Sequence, residues 1–229
     1  MNHSPRPTDR PEAATTTAAT ATAPAPASSV VLFDMFGVIA HHQSEDGKNR
    51  LAAIAGGPEG AFWDAYWGLR RLYDRGDVTG AEYWGQVAAA LGTDFDDARV
   101  ARLVEADLAS WSAVDGTMVA LIEELTDAGR PVALLSNIPE ELAAHYEERH
   151  LWLKHFQVCA FSCRIGHAKP ESGAYQWCLD ALGALGVEPG RVLFVDDREE
   201  NIRAAEAVGV RGHLFTSAAR LREVLRLSA

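Results

Sequence analysis

Five short, uninterrupted apolar runs punctuate the chain: Val30-Val31-Leu32-Phe33, Val132-Ala133-Leu134-Leu135, Val158-Cys159-Ala160-Phe161, Val192-Leu193-Phe194-Val195 and Gly212-His213-Leu214-Phe215. Each is too short for a helix, and most are β-branched or aromatic. A half-buried strand alternates apolar and polar residues. A continuous apolar run fits a strand covered on both faces, as in a parallel sheet. Helical patterns separate most of the runs. Met118, Val119, Leu121, Ile122 and Leu125 recur at helical spacing, with Asp115 ahead of them as a cap and Gly129 behind as a stop. Residues 171–184, 199–208 and 217–227 also read as helices. Strand and helix in alternation predict an α/β fold with a doubly wound parallel sheet.

The interval between the first and second runs, residues 34–131, breaks that rhythm, because a single crossover helix needs only about a dozen residues. Residues 44–114 read as wholly helical. Trp63, Tyr66, Trp67 and Leu69 share one face region, Tyr83, Trp84, Val87 and Leu91 another, and Gly76 and Gly92 punctuate the pattern. The expected organisation is a core domain of residues 30–43 and 115–229, interrupted by a helical cap of four helices over 44–114. Residues 1–29 are Ala, Thr, Pro and Ser with scattered charge; they lack the aliphatics needed to pack and are expected to be a disordered tail.

Composition narrows the function classes. A 229-residue chain with 48% hydrophobic residues can fill a real core. The formal net charge of −11 argues against a protein that grips the phosphate backbone, so no nucleic-acid partner is expected. The three cysteines, Cys159, Cys163 and Cys178, make no disulfide framework, and no second pair completes a zinc site. Reduced thiols fit a cytoplasmic location. No apolar run approaches the length of a membrane span.

The residues ending the runs carry the chemistry. The first ends in Asp34, the second in Ser136-Asn137, the fourth in Asp196-Asp197, and Lys169-Pro170 follows the third shortly. Open α/β sheets bind ligands at the carboxyl ends of their strands, so these groups are expected in one crevice. Crowded carboxylates need a cation, and an oxygen-only cluster suits magnesium (Mg2+). Lys169 supplies a point charge for an anion, and Ser136 and Asn137 offer hydrogen bonds to it. Pro139, Glu140 and Glu141 suit the first turn of a helix whose N-terminus would favour an anion. Taken singly, most such residues are ordinary turns or caps; the ordered set is what points to a phosphoryl site with a carboxylate nucleophile.

That ordered set resembles the haloacid dehalogenase-like superfamily. LFDMFGV matches its first motif, with Asp34 at the nucleophile position. LLSN matches the second at Ser136, IGHAKPES the third at Lys169, and FVDDREENI the fourth at Asp196-Asp197. The third and fourth motifs are most similar to those of bacterial glucose-1-phosphate phosphatases and the N-terminal domain of soluble epoxide hydrolases. The resemblance implies a Rossmann-like core with an inserted helical cap. It implies Asp34, Ser136 and Lys169 as catalytic residues, and Ser136, Asn137 and Lys169 as substrate-binding residues. The metal would be held by Asp34, the backbone carbonyl of Phe36, and Asp196 and Asp197. Asp197 is favoured as the direct ligand, with Asp196 behind it or linked through water. The implied activity is a magnesium-dependent phosphatase of small phosphomonoesters, sugar phosphates included, acting through an aspartyl-phosphate.

One position departs from that pattern. Most phosphatases of the superfamily carry a second Asp two residues after the nucleophile, as general acid and base; Phe36 stands there. Haloacid dehalogenases also have an aromatic residue at that place, so a 2-haloacid dehalogenase is a rival. So is a non-catalytic module that kept the fold. The dehalogenase fourth motif lacks an adjacent acidic pair, which Asp196-Asp197 supplies. His41 and His42 follow the first motif and could reach the crevice. Arg70 and Arg71 are expected on a solvated cap face, and the cap tryptophans in its core.

Overall fold

The computed structural model of the chain describes residues 30–227; the expected disordered tail of residues 1–29 lies outside them. Five strands form one parallel sheet in the order β3-β2-β1-β4-β5: β1 Val30–Phe33, β2 Val132–Ser136, β3 Val158–Phe161, β4 Val192–Asp196 and β5 Arg211–Leu214. The fold is therefore the expected doubly wound α/β sheet. Every run became a strand, the fifth displaced by one residue towards its N-terminus.

The continuous apolar runs have a direct structural cause. In β1, Val31 and Phe33 point to one face with Leu134, Leu193 and Val195. There they pack under helices α5 (Gly116–Asp127), α6 (Glu140–Arg149) and α10 (Ala218–Leu225). Val30 and Leu32 point to the other face, with Ala133, Leu135 and Phe194, under α8 (Ser172–Gly183) and α9 (Glu199–Ala207). Side chains alternate along a strand, so covering both faces forces every position to be apolar. A single turn of helix, α7 (Ser162–Ile165), follows β3 directly.

Between β1 and β2, four helices fill the long interval: α1 (Glu45–Ala55), α2 (Glu59–Asp74), α3 (Gly80–Ala90) and α4 (Asp97–Ser110). They bury a cluster of their own around Leu51, Phe62, Tyr66, Tyr83, Trp84 and Leu103. Side chains cap the starts of α3 and α4: Thr79 and Glu82 form a reciprocal capping box on α3, and Asp96 accepts from Arg99 N on α4. The two chain crossings that lead into and out of this unit run side by side. His41 N donates to Ala113 O, Asp115 N donates to Ile39 O, and Ala40 forms an antiparallel bridge with Val114.

Polar contacts fasten the four helices over the carboxyl ends of the strands. Tyr73 Oη donates to Glu141 at 2.8 Å, Arg71 reaches Glu171 at 2.6 Å, and the Ser162 hydroxyl donates to Asp74 O. Gly76 ends α2 at φ +77°, with its Cα so near the Cys163 carbonyl that a Cβ would sit 2.4 Å from that oxygen. Only glycine satisfies both demands.

Candidate active site

β1 delivers Asp34, β2 delivers Ser136 and Asn137, and β4 delivers Asp196 and Asp197, all at the same edge of the sheet. Lys169 comes from the turn ahead of α8. Its Nζ lies 2.6 Å from Asp34 Oδ1 and 2.7 Å from Asp196 Oδ2, and its side chain is almost completely buried. Asn137 fixes this lysine in place: its Oδ1 accepts from Lys169 N and its Nδ2 donates to Lys169 O, both at 2.8 Å. The amide expected to face a substrate thus positions the lysine, although it also lines the cavity described below.

The acidic pair divides its work. Asp196 is wholly buried, and both of its oxygens are occupied. Oδ1 accepts from Arg198 N at 2.8 Å and Asn201 Nδ2 at 3.0 Å, and Oδ2 accepts from Asn201 and Lys169. Asp197 differs. Its Oδ2 lies 2.9 Å from His42 Nε2, while its Oδ1 is buried with no hydrogen-bond partner. A buried carboxylate oxygen without a partner carries an uncompensated desolvation cost. Oxygens of Asp34, Asp196 and Asp197 all lie within 4.8 Å of one another.

The electrostatics follow from that crowding. Burial pushes the Asp34 carboxyl up to about 7; Lys169 works against the rise and Asp196 adds to it. Burial also works to lower the Lys169 ammonium, but Asp34 and Asp196 outweigh it and leave it above the ordinary lysine range. One lysine therefore does not fully compensate the carboxylates around it. A hard divalent cation fits the donor set: oxygen atoms only, one of them orphaned, and one carboxyl resisting ionisation.

Sequence reasoning missed two supporting residues. Gly37 has φ +90°, and a Cβ there would stand 2.3 Å from Asp197 Oδ2 and 2.8 Å from His42 Nε2. Its bare Cα is what lets the turn after β1 approach the acid. Asn201, in the first turn of α9, clamps Asp196, and its backbone carbonyl is held by Tyr175 Oη at 2.9 Å. Both residues stand inside the matched motifs, but their roles depend on contacts across strands.

A cavity of about 350 Å³ opens over the cluster, lined by Asp34, Asn137, Lys169 and Asp197 at its floor. Phe36, His42, Trp67, Arg70, Asp74 and Trp111 are among its walls. Ser136 does not border it: its side chain is fully buried and its hydroxyl has no partner. His41 is exposed and stands apart from the cavity. The expectation of a solvated Arg70 fails, because that guanidinium is 5% exposed, held by Asp74 Oδ1 at 2.8 Å, Asp107 Oδ2 at 2.9 Å and Tyr66 Oη at 2.5 Å. The expectation of core tryptophans holds for Trp84 and fails for Trp67, which is half exposed at the cavity wall.

The chain belongs to the haloacid dehalogenase-like hydrolase family, whose sequence model matches residues 29–209. It is 33% identical over 114 residues to the sesquiterpene phosphatase astK of Aspergillus oryzae, a match covering 49% of this chain and 57% of that protein. It is 32% identical over 128 residues to flavin mononucleotide hydrolase 1 of Arabidopsis thaliana, covering 56% of this chain and 49% of that one. The chain spans about half the length of the curated relatives it matches. Among solved structures, a family enzyme of Bacteroides thetaiotaomicron in complex with magnesium and inorganic phosphate superposes with a TM-score of 0.67 at 18% identity. That match covers 82% of this chain and 94% of the other. Among the described residues, no helix is long and apolar enough to cross a membrane.

Proposed function

We propose that the chain is a magnesium-dependent phosphatase of small phosphomonoesters, with Asp34 as the nucleophile. The observation that carries this reading is the cluster itself: Lys169 shared between Asp34 and Asp196, beside an Asp197 oxygen that nothing in the protein satisfies. The curated relatives, named as a phosphatase and a flavin mononucleotide hydrolase, support the same class of substrate. The helices α1–α4 serve in this reading as a cap over the site.

Asp34 Oδ1 accepts from Met35 N at 2.6 Å and from Lys169. That leaves Oδ2 to attack phosphorus, with the ester oxygen departing as the bond to phosphorus breaks. Lys169 holds a phosphoryl oxygen as negative charge spreads over the transferring group. The Ser136 hydroxyl, at the end of β2 beneath the cavity floor, is buried without a partner, which supports its assignment to a phosphoryl oxygen. Water then attacks phosphorus in the aspartyl-phosphate, releasing phosphate and restoring the carboxylate. Asp34, Asp197 and the Phe36 carbonyl would hold the metal, with Asp196 behind them; bound there, the metal neutralises negative charge and favours the ionised form of Asp34.

Phosphate release from a panel of monoesters, with and without magnesium, tests the reading beside halide release from 2-chloropropionate. Phosphate release that requires magnesium, with no halide, is the expected outcome. Magnesium-independent halide release would replace it with the dehalogenase, and no turnover of any compound would leave a non-catalytic module. The ligand assignment has its own consequence. Asp197→Ala is expected to weaken magnesium binding and turnover together by more than the 10–100-fold, roughly, that losing a supporting residue costs a metal site. Calorimetric titration with magnesium, paired with kcat at saturating metal, reads both. Unchanged metal affinity would remove Asp197 from the ligand set.

A further inference from the structure

The floor of the cavity accounts for a phosphoryl group, but its outer walls are of another character. Phe36, Trp67 and Trp111 come from the turn after β1, from α2 and from the end of α4. They meet edge to face: Phe36 and Trp111 at 4.9 Å between ring centroids, Trp67 and Trp111 at 6.2 Å. Phe36 is fixed from behind by Tyr146, at 5.7 Å. Trp111 Nε1 donates to Tyr66 Oη at 3.3 Å, so its polar edge is already committed to the protein. Trp67 leaves 50% of its surface exposed, although α2 has an apolar core beside it. A large ring held half bare at the mouth of a catalytic cavity has an unfilled contact face.

The permanent cations of the same walls have partners within the protein. Arg70 is held by Asp74 and Asp107, Lys169 by Asp34 and Asp196, and Arg198 by Glu200 at 2.6 Å. Both ends of the Asn137 amide are bound to the backbone of Lys169. A second anionic group would compete with the carboxylates that already hold these cations. An apolar body displaces only water.

We infer that the substrate is the monophosphate ester of an apolar alcohol carrying a ring or a comparable hydrocarbon body, which packs against Trp67, Trp111 and Phe36. This rests on the reading of the site as a phosphatase and specifies which leaving group that site takes. The cavity volume of about 350 Å³ lies at the low end of the range of roughly 300–1,000 Å³ for small-molecule sites. It suits a body of one or two rings beside the phosphoryl group.

Benzyl phosphate, glucose 6-phosphate and acetyl phosphate separate the parts of this inference. The first two are primary alkyl esters that differ in the polarity of the leaving group; acetyl phosphate has almost no body and reads phosphoryl transfer alone. In the native protein kcat/KM is expected to favour benzyl phosphate over glucose 6-phosphate by on the order of 100-fold. The ratio of kcat/KM for benzyl over acetyl phosphate is expected to fall on the order of 10-fold in Trp67→Ala and to be largely kept in Trp67→Phe. A preference for glucose 6-phosphate, or a ratio that Trp67→Ala does not move, overturns the apolar assignment while the phosphatase reading stands. No hydrolysis of acetyl phosphate by the native protein overturns the phosphatase reading itself.

Discussion

Asp34→Asn is expected to lower kcat by on the order of 10⁴–10⁶-fold, the scale seen when a nucleophile or its partner is removed from a covalent catalyst. The amide is nearly isosteric with the carboxylate, so the loss is chemical. Met35 N can still donate to the remaining oxygen, and the apolar runs that build the sheet are untouched. Lys169 loses one of its two anionic partners but keeps Asp196. The far-ultraviolet circular dichroism spectrum and the melting transition should therefore stay close to those of the native protein. The substitution also removes a carboxylate whose ionisation burial opposes, which offsets the loss of its ion pair with Lys169. Turnover within about 10-fold of native in this variant would end the covalent mechanism.

The second large effect concerns the leaving group. A positioned general acid contributes about 10²–10⁴-fold when the leaving group is a poor one. The position that supplies it in most phosphatases of the family holds Phe36, whose ring packs on Trp111 and Tyr146 and brings no proton. An aryl ester such as p-nitrophenyl phosphate needs little protonation, because its phenolate is already stable. The native protein is therefore expected to favour such esters over alkyl phosphates of similar size by about 10²-fold or more. Phe36→Asp should narrow the gap by accelerating the alkyl ester relative to the aryl ester. That substitution also removes part of the apolar wall, and for this reason the two esters are compared as a ratio within each variant. Absence of any leaving-group preference in the native protein would mean that another group donates the proton. His42 and Asp74 line the same cavity and are the groups to substitute in that event.

The sequence was most legible where one physical demand acts on consecutive residues. Helices cover both faces of the sheet, so the central strands β1, β2 and β4 announce themselves as continuous buried apolar runs, whereas the edge strand β5, Arg211–Leu214, is only partly buried. A parallel sheet puts every strand's carboxyl end on one edge, so the order of the chain alone gathers Asp34, Asn137, Asp196 and Asp197. The long interval before β2 exceeded any single crossover, which made the helical insertion visible.

What stayed hidden depends on partners distant in sequence. Arg70 has the helical spacing to Asp74 that suits a solvated pair, and only the approach of Asp107 on α4, which also takes the Tyr66 hydroxyl, turns it into a buried network. Gln43 joins the same network through Asp107, Tyr66 and Ser110, and nothing near it in the chain signals this. Trp67 sits on the same helix as the buried Tyr66, so its side chain could be assigned to core or cavity only once α4 had placed Trp111 beside it. The division of labour between Asp196 and Asp197 was likewise out of reach of adjacent letters. It is set by Asn201, Lys169 and Arg198 N on one side and by His42 and the bare Gly37 on the other.

The most direct test of the account is to catch the covalent intermediate. The protein is quenched in acid during turnover of benzyl or p-nitrophenyl phosphate with magnesium. An acyl-phosphate is then reduced with borohydride and the peptides are mapped by mass spectrometry. The account predicts reduction of an acyl group to the alcohol at Asp34, dependent on both substrate and magnesium, and absent from Asp34→Asn. Reduction at another carboxylate, or labelling that is the same without substrate, would contradict Asp34 as the nucleophile.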